Sequence, residues 1–250
     1  MRLSRTMLAA LLAIGSQAAN ADGQTDLKAA LQRLQGSTPL KATLETQTWH
    51  RNGEGQDSTE TYGQASVAIE DGSHGLHLLY SPEILARMDA EAQALARNPN
   101  AKTPTLTAAR ELSPNDLRPM IVAAGNLARM LERATFKAEK ADSYQGKPVR
   151  LLSYELGADT LSERERKYVK QFDGRLSVWI AADGTPLASR LTQNVHGRAF
   201  MVVSFDAKSE EQNVYGLAGE RLVTLRKESS NSSAGMGEKG EDKVVKTLQL

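Results

Sequence analysis

The sequence predicts an α+β protein built on a curved antiparallel β-sheet, an open half-barrel, covered by an N-terminal helix and a helical insertion. Two observations predict it. Apolar residues recur at period 2 through most of the chain, and at steps of three and four only near the N-terminus and between residues 81 and 134. The period-2 runs are separated by short Gly, Asn and Asp turns of the kind that join antiparallel strands.

Taken in order, residues 26–35 form an amphipathic helix with Leu27, Leu31 and Leu34 on one stripe, ended by Gly36. From Leu40 the period becomes 2: Leu40, Ala42, Leu44 and Thr46 share one face, and Trp49 falls on the polar parity. Asn52-Gly53-Glu54-Gly55 reverses the chain, Gly63, Ala65, Val67 and Ile69 face the core from the next strand, and Asp71-Gly72 turns it into 74–80. Ser81-Pro82-Glu83 is a helix start, with serine as N-cap and proline where its missing N–H costs nothing. That helix runs to Arg97, and residues 98–107 read as a loop. Ser113-Pro114-Asn115-Asp116 starts a second helix carrying Leu117, Met120, Ile121, Ala124, Leu127, Ala128 and Leu131, with Pro119 expected to kink its first turn or delay its start.

The remainder reads as strands. Gln145-Gly146-Lys147 and Asp183-Gly184 mark hairpins, Leu176, Val178 and Ile180 share a face, and Gly197 reverses the chain into 200–206. The charged stretch 162–170 is expected to be a solvated connection or a strand edge. Residues 229–242, rich in serine, glycine and charge, are expected to form a mobile loop.

Residues 1–21 carry Arg2 and Arg5, the apolar run from Met7 to Ile14, and Ala19-Asn20-Ala21. This is the pattern of a secretory signal cleaved after Ala21, which predicts a periplasmic mature protein forming a single domain over 22–250. The apolar run falls far short of the ~20 residues that span a bilayer, so no membrane-spanning segment is expected. Loss of Arg2 and Arg5 leaves the mature chain with one more acid than base, a balance that gives no field to draw nucleic acid. The chain has no cysteine, which excludes disulfides, thiolate nucleophiles and thiolate metal sites.

No motif demands a chemistry. His74 and His77 lie three apart, and on a strand that spacing points them to opposite faces. Gly235, Gly237 and Gly240 match a dinucleotide-loop spacing but follow no apolar strand and open no helix. Glu163 and Glu165 sit among Arg164, Arg166 and Lys167, as on a solvated surface, and His50 and His196 lack a sequence-local carboxylate. No catalytic residue, metal site or cofactor is assigned, and the expectation is a protein that is not an enzyme.

The helix Leu27 to Leu34 leading into residues 40–50, and the hairpin Val178-Trp179-Ile180 through Asp183-Gly184 to Leu187, resemble the outer-membrane lipoprotein carrier family and its relatives. The likeness is one of layout over most of the mature chain, without the aromatic-rich strands of the carriers and with a long insertion. It implies an open half-barrel closed by a helical lid.

A curved sheet with one apolar face must be covered, and the stripe from Leu117 to Leu131 has the shape to do it. An acyl chain held between cover and sheet gains ~0.8 kcal/mol per buried methylene. The candidate ligand-lining residues are Met88, Leu117, Met120, Ile121, Ala124, Leu127, Leu131, Val178 and Ile180. The expected partner is a lipid or lipoprotein acyl chain; the alternative is an envelope protein partner docked on the sheet of a molecule with a filled core, and a third reading is a hydrolase whose site is not visible in sequence.

Overall fold

The structure, a computed structural model, describes residues 22–199, 203–235 and 238–250. The expected signal segment, residues 1–21, lies outside them. The chain forms an α+β fold in which ten antiparallel strands make one curved, unclosed sheet. Helix α1 (Gly23–Arg33) precedes β1 (Leu40–Asn52), β2 (Thr59–Gly72) and β3 (Gly75–Leu79). Four helices follow: α2 (Pro82–Arg97), α3 (Pro104–Ala109), α4 (Pro114–Ile121) and α5 (Ala123–Glu132). Then come β4 (Ala134–Tyr144), β5 (Lys147–Leu156), α6 (Glu163–Arg166), β6 (Val169–Ile180), β7 (Pro186–Ala199), β8 (Val203–Ala218), β9 (Arg221–Gly235) and β10 (Glu238–Gln249).

The strand order is β3-β2-β1-β10-β9-β8-β7-β6-β5-β4. The first strand therefore pairs with the last, Thr46 opposite Lys246 and Leu44 opposite Leu248, and every other neighbour is a hairpin or short connection. The two edges, β3 and β4, are the strands that flank the helical insertion. Helices α2–α5 thus run as a strap from one edge of the sheet to the other, across the face that α1 also covers.

The apolar parity of each strand faces this cover. One core cluster packs Leu27 and Leu31 of α1 and Ala124 and Leu127 of α5 on Leu152, Leu176, Val178, Ile180 and Leu222. The other packs Leu117, Met120 and Ile121 of α4 on Leu44, Val67, Ile69, Val223 and Leu248. At the same end of the sheet, buried Arg221 pairs with Asp71 and donates to the Thr38 carbonyl, so a buried guanidinium is answered from both sides.

Four local expectations are corrected. Residues 229–235 and 238–242 are not a loop: they are strand, in β9 and β10, with Ser229 opposite Val244 and Asn231 opposite Asp242. Their side chains carry no strand signal, but β8 and β1 flank the pair on either side and complete its ladder, so the backbone hydrogen bonds hold it. The helix predicted through Leu131 breaks at Val122 into α4 and α5, three residues after Pro119, and the segment 98–107 contains the start of α3. The charged stretch is, as expected, an exposed connection, and within it residues 163–166 form α6, where Ser162 and Glu165 make a reciprocal capping box. Gly197 lies inside β7, where a side chain would collide with the Phe205 ring, rather than in the turn.

Candidate functional site

The strap is shaped by its caps. The Ser81 hydroxyl accepts from Ile84 N–H at the start of α2, and the Ser113 hydroxyl accepts from Asp116 N–H at the start of α4. Helix α3 has no capping side chain of its own; the Glu91 carboxylate of α2 accepts from Thr105 N–H at 3.0 Å and Leu106 N–H at 2.9 Å instead. Helix α3 lies directly on β2 at Gly63, where a Cβ would stand 2.7 Å from Ala108 N and 2.5 Å from Thr48 Oγ1. Glycine there is what lets the strap approach so closely.

Eight of the nine candidate residues line the seam between strap, α1 and sheet. Leu117, Met120 and Ile121 sit in one cluster, Ala124, Leu127, Val178 and Ile180 in the other, and Leu131 packs against the second at half burial. Met88, half-buried on α2, belongs to neither cluster. The seven fully packed residues are at most 2% exposed, and the seam is closed by direct side-chain packing.

The polar features around this seam are ones the sequence reading passed over. Where α4 and the turn before it meet β1, β9 and β10, a cleft of about 410 Å³ opens beside the apolar bed. On its sheet side is Lys246, 4% exposed, whose Nζ lies 3.7 Å from Glu111 Oε2 of the strap. Burial lowers the Lys246 ammonium pKa; Glu111 and Asp116 oppose that shift and Lys227 adds to it. Lys227 is itself paired with Glu211 at 2.7 Å, and His50 Nδ1 meets Asp242 Oδ1 at 2.7 Å across β1 and β10. Thr46, opposite Lys246, and Thr48 each bury a hydroxyl oxygen that has no hydrogen-bond partner.

A signal for this group does exist in the sequence. Val244, Lys246 and Leu248 share a parity, and so do Leu44, Thr46 and Thr48, so a lysine and two hydroxyls interrupt apolar strand faces. What the sequence lacks is the β1–β10 pairing that makes them neighbours.

The two covers are fastened differently. Helix α1 and its following turn are tied to the sheet by Gly23 N–H to Glu139, Arg150 to Asp26 at 2.7 Å, Arg33 to Asp183, and Leu222 N–H to the Leu34 carbonyl. Among the described residues, the strap has one ion pair to the strands, Glu111 of the α3–α4 turn with Lys246, and otherwise meets them through apolar packing and the close approach of α3 to β2 at Gly63.

The remaining candidates take plain roles. His77 Nε2 lies 3.1 Å from the His74 carbonyl, so that pair closes a turn. His196 has Asp206 as a cross-strand partner at 2.9 Å, a carboxylate distant in sequence, as His50 has Asp242. Gly235 and Gly240 belong to the β9–β10 hairpin, and Gly237 lies outside the described residues. Among the described residues, no cluster of three His, Asp or Glu side chains is placed to hold a metal ion, and no helix is long and apolar enough to cross a membrane.

No protein-family model matches the chain, and no curated protein is significantly similar to it.

Proposed function

We propose that this is a non-catalytic binding or carrier protein of the bacterial periplasm, which takes a lipid, a lipoprotein acyl chain or another hydrophobic envelope component between strap and sheet when the strap lifts. The observation that carries the reading is the contrast in fastening: α1 is held by directional polar bonds, whereas the strap rests on the same apolar face with one ion pair. Apolar packing is non-directional, so one greasy surface can replace another on it. Directional bonds have no such substitute.

The magnitudes are compatible. Exposing Leu117, Met120, Ile121 and Leu127 costs about 2 kcal/mol each, and about ten methylenes of an acyl chain laid on the vacated bed recover a similar total. A strap tethered at both sheet edges lifts without leaving the molecule. The layout resemblance to the lipoprotein carriers supports the same reading. The alternative, an envelope protein partner paired to a sheet edge, has less to work with: β3 is five residues long and β4 carries Lys137, Glu139, Lys140 and Asp142, charges of the kind that discourage edge pairing.

The test is native mass spectrometry of the mature protein purified from the periplasm, with lipid analysis of its organic extract. A co-purifying acyl species that is lost in a folded Leu127→Asp variant supports the carrier. An unliganded mass, together with no uptake of a fluorescent fatty acid by wild type or by Glu111→Gln, overturns it.

A further inference from the structure

We infer that Lys246, Thr46 and Thr48 form the receptor for the anionic headgroup of the amphiphile, with Glu111 standing in for that headgroup while the strap is down. The inference rests on the carrier reading and narrows its ligand to amphiphiles with a terminal carboxylate or phosphate.

The three side chains share the covered face of β1 and β10, Thr46 directly opposite Lys246 and Thr48 two residues along the same strand. All are at least 95% buried. Buried polar groups are almost always satisfied, and here two hydroxyls on the strand that pairs with a buried lysine's strand are not. Glu111 reaches only the ammonium, at 3.7 Å, and leaves both hydroxyls unanswered. An anionic oxygen accepts from hydroxyls and ammonium alike, so one headgroup can satisfy what the strap carboxylate does not.

The charges around Lys246 favour exchange when the strap lifts. Its acidic neighbours Glu111 and Asp116 both belong to the strap segment and leave with it, while Lys227 stays on β9, already committed to Glu211. The open state therefore leaves an ammonium short of its counter-ions in an apolar bed that includes Leu44, Val223 and Leu248. A buried charge in that position requires a partner. An anionic amphiphile brings the partner at one end and covers the bed with the other, whereas a neutral one answers only the bed.

The experiment uses the mature protein and two fluorescent probes that differ only in charge, cis-parinaric acid and its methyl ester. Wild type is expected to bind the acid at least tenfold more tightly than the ester. Lys246→Met is expected to abolish that gap, read as the ratio of the two affinities so that any loosening of the strap affects both probes alike, with Lys246→Gln as a second variant that keeps the position polar. Thr46→Val is expected to raise the melting temperature of the unliganded protein and yet narrow the gap, a combination that a purely structural threonine does not produce.

Equal binding of acid and ester by wild type, or a gap that survives both lysine variants, overturns the headgroup site and leaves the carrier intact. Failure to bind either probe overturns the carrier reading and this inference with it. Competition by dodecanoate against a lysophosphatidate of the same chain length then separates a carboxylate from a phosphate ligand.

Discussion

Glu111 Oε2 and Lys246 Nζ, 3.7 Å apart, form the one ion pair among the described residues that joins the helical strap to the strands beneath it. Glu111 is one-third exposed and Lys246 is buried, so removing the carboxylate leaves the ammonium with little water to replace it. Glu111→Gln is expected to destabilise the closed strap by about 1 to 3 kcal/mol, the cost of an unpaired buried charge next to solvent. Hydrogen exchange reads this directly. Amides of α3 and α4 exchange about fivefold to a hundredfold faster, since each 1.4 kcal/mol is a factor of about ten, while those of α1, fastened by its own polar bonds, keep their protection. A uniform rise across both covers contradicts the picture.

Gly63 lets α3 lie on β2. A methyl group there stands 2.7 Å from the Ala108 nitrogen and 3.1 Å from the Pro104 carbonyl, both of them backbone atoms of the helix region that cannot rotate away. Gly63→Ala is expected to lift α3 and cost about 1 to 3 kcal/mol, as overpacking does, and the same displacement exposes the strap seam. Thermal unfolding gives the loss, and a raised affinity for a fluorescent fatty acid distinguishes a lifted strap from general damage.

The local code was legible wherever a side chain acts on its own backbone. Ser81 and Ser113 cap the helices they were expected to cap, and the Gln145-Gly146 and Asp183-Gly184 turns place Gln145, Gly146 and Gly184 at positive φ. The capping box of Ser162 and Glu165 has its spacing in the sequence, where the surrounding charges mask it. The strands over residues 229–235 and 238–242 were not legible, because their strand character comes from β8 and β1 on either side and not from their own residues. The candidate site divides the same way. Seven apolar residues of the seam follow from periodicity alone, whereas Lys246, Thr46 and Glu111 become a group only after the first and last strands pair, about two hundred positions apart.

Tyr154 packs edge-on against Phe136, with ring centres 5.5 Å apart, and buries a hydroxyl that has no hydrogen-bond partner. Replacing it by Phe keeps the ring and removes the unsatisfied oxygen, so Tyr154→Phe is expected to gain about 1 kcal/mol at neutral pH. Burial, with Asp22 and Glu139 nearby, pushes the phenol up to about 12. Because the folded value lies above the unfolded one near 10, the group's contribution is fully present below pH 10 and is lost as the pH rises towards 12. Wild type should lose stability through that window about 1.4 kcal/mol per pH unit more steeply than Tyr154→Phe. Half-buried Tyr215, raised in the same direction and bonded to Ser189, adds a slope common to both. Denaturant melts between pH 9 and 12 measure the difference.

Leu127 and Met88 were singled out together by the sequence and are separated by the structure. Leu127 is 1% exposed in the cluster that joins α5 to α1 and the sheet, and truncation leaves a cavity that the neighbouring strands cannot collapse to fill. Leu127→Ala is therefore expected to cost about 2 to 5 kcal/mol. Met88, half-buried on α2 and outside both clusters, has solvent beside it to occupy whatever space it vacates. Met88→Ala is expected to change stability by less than about 0.5 kcal/mol and to leave fatty-acid uptake untouched. Paired urea melts test the separation: comparable losses in the two variants would place α2 in the load of the core and make the strap one rigid unit. A loss confined to Leu127→Ala leaves α2 as the outer limb of the strap, held over the sheet by α3–α5 and not itself packed into either core cluster.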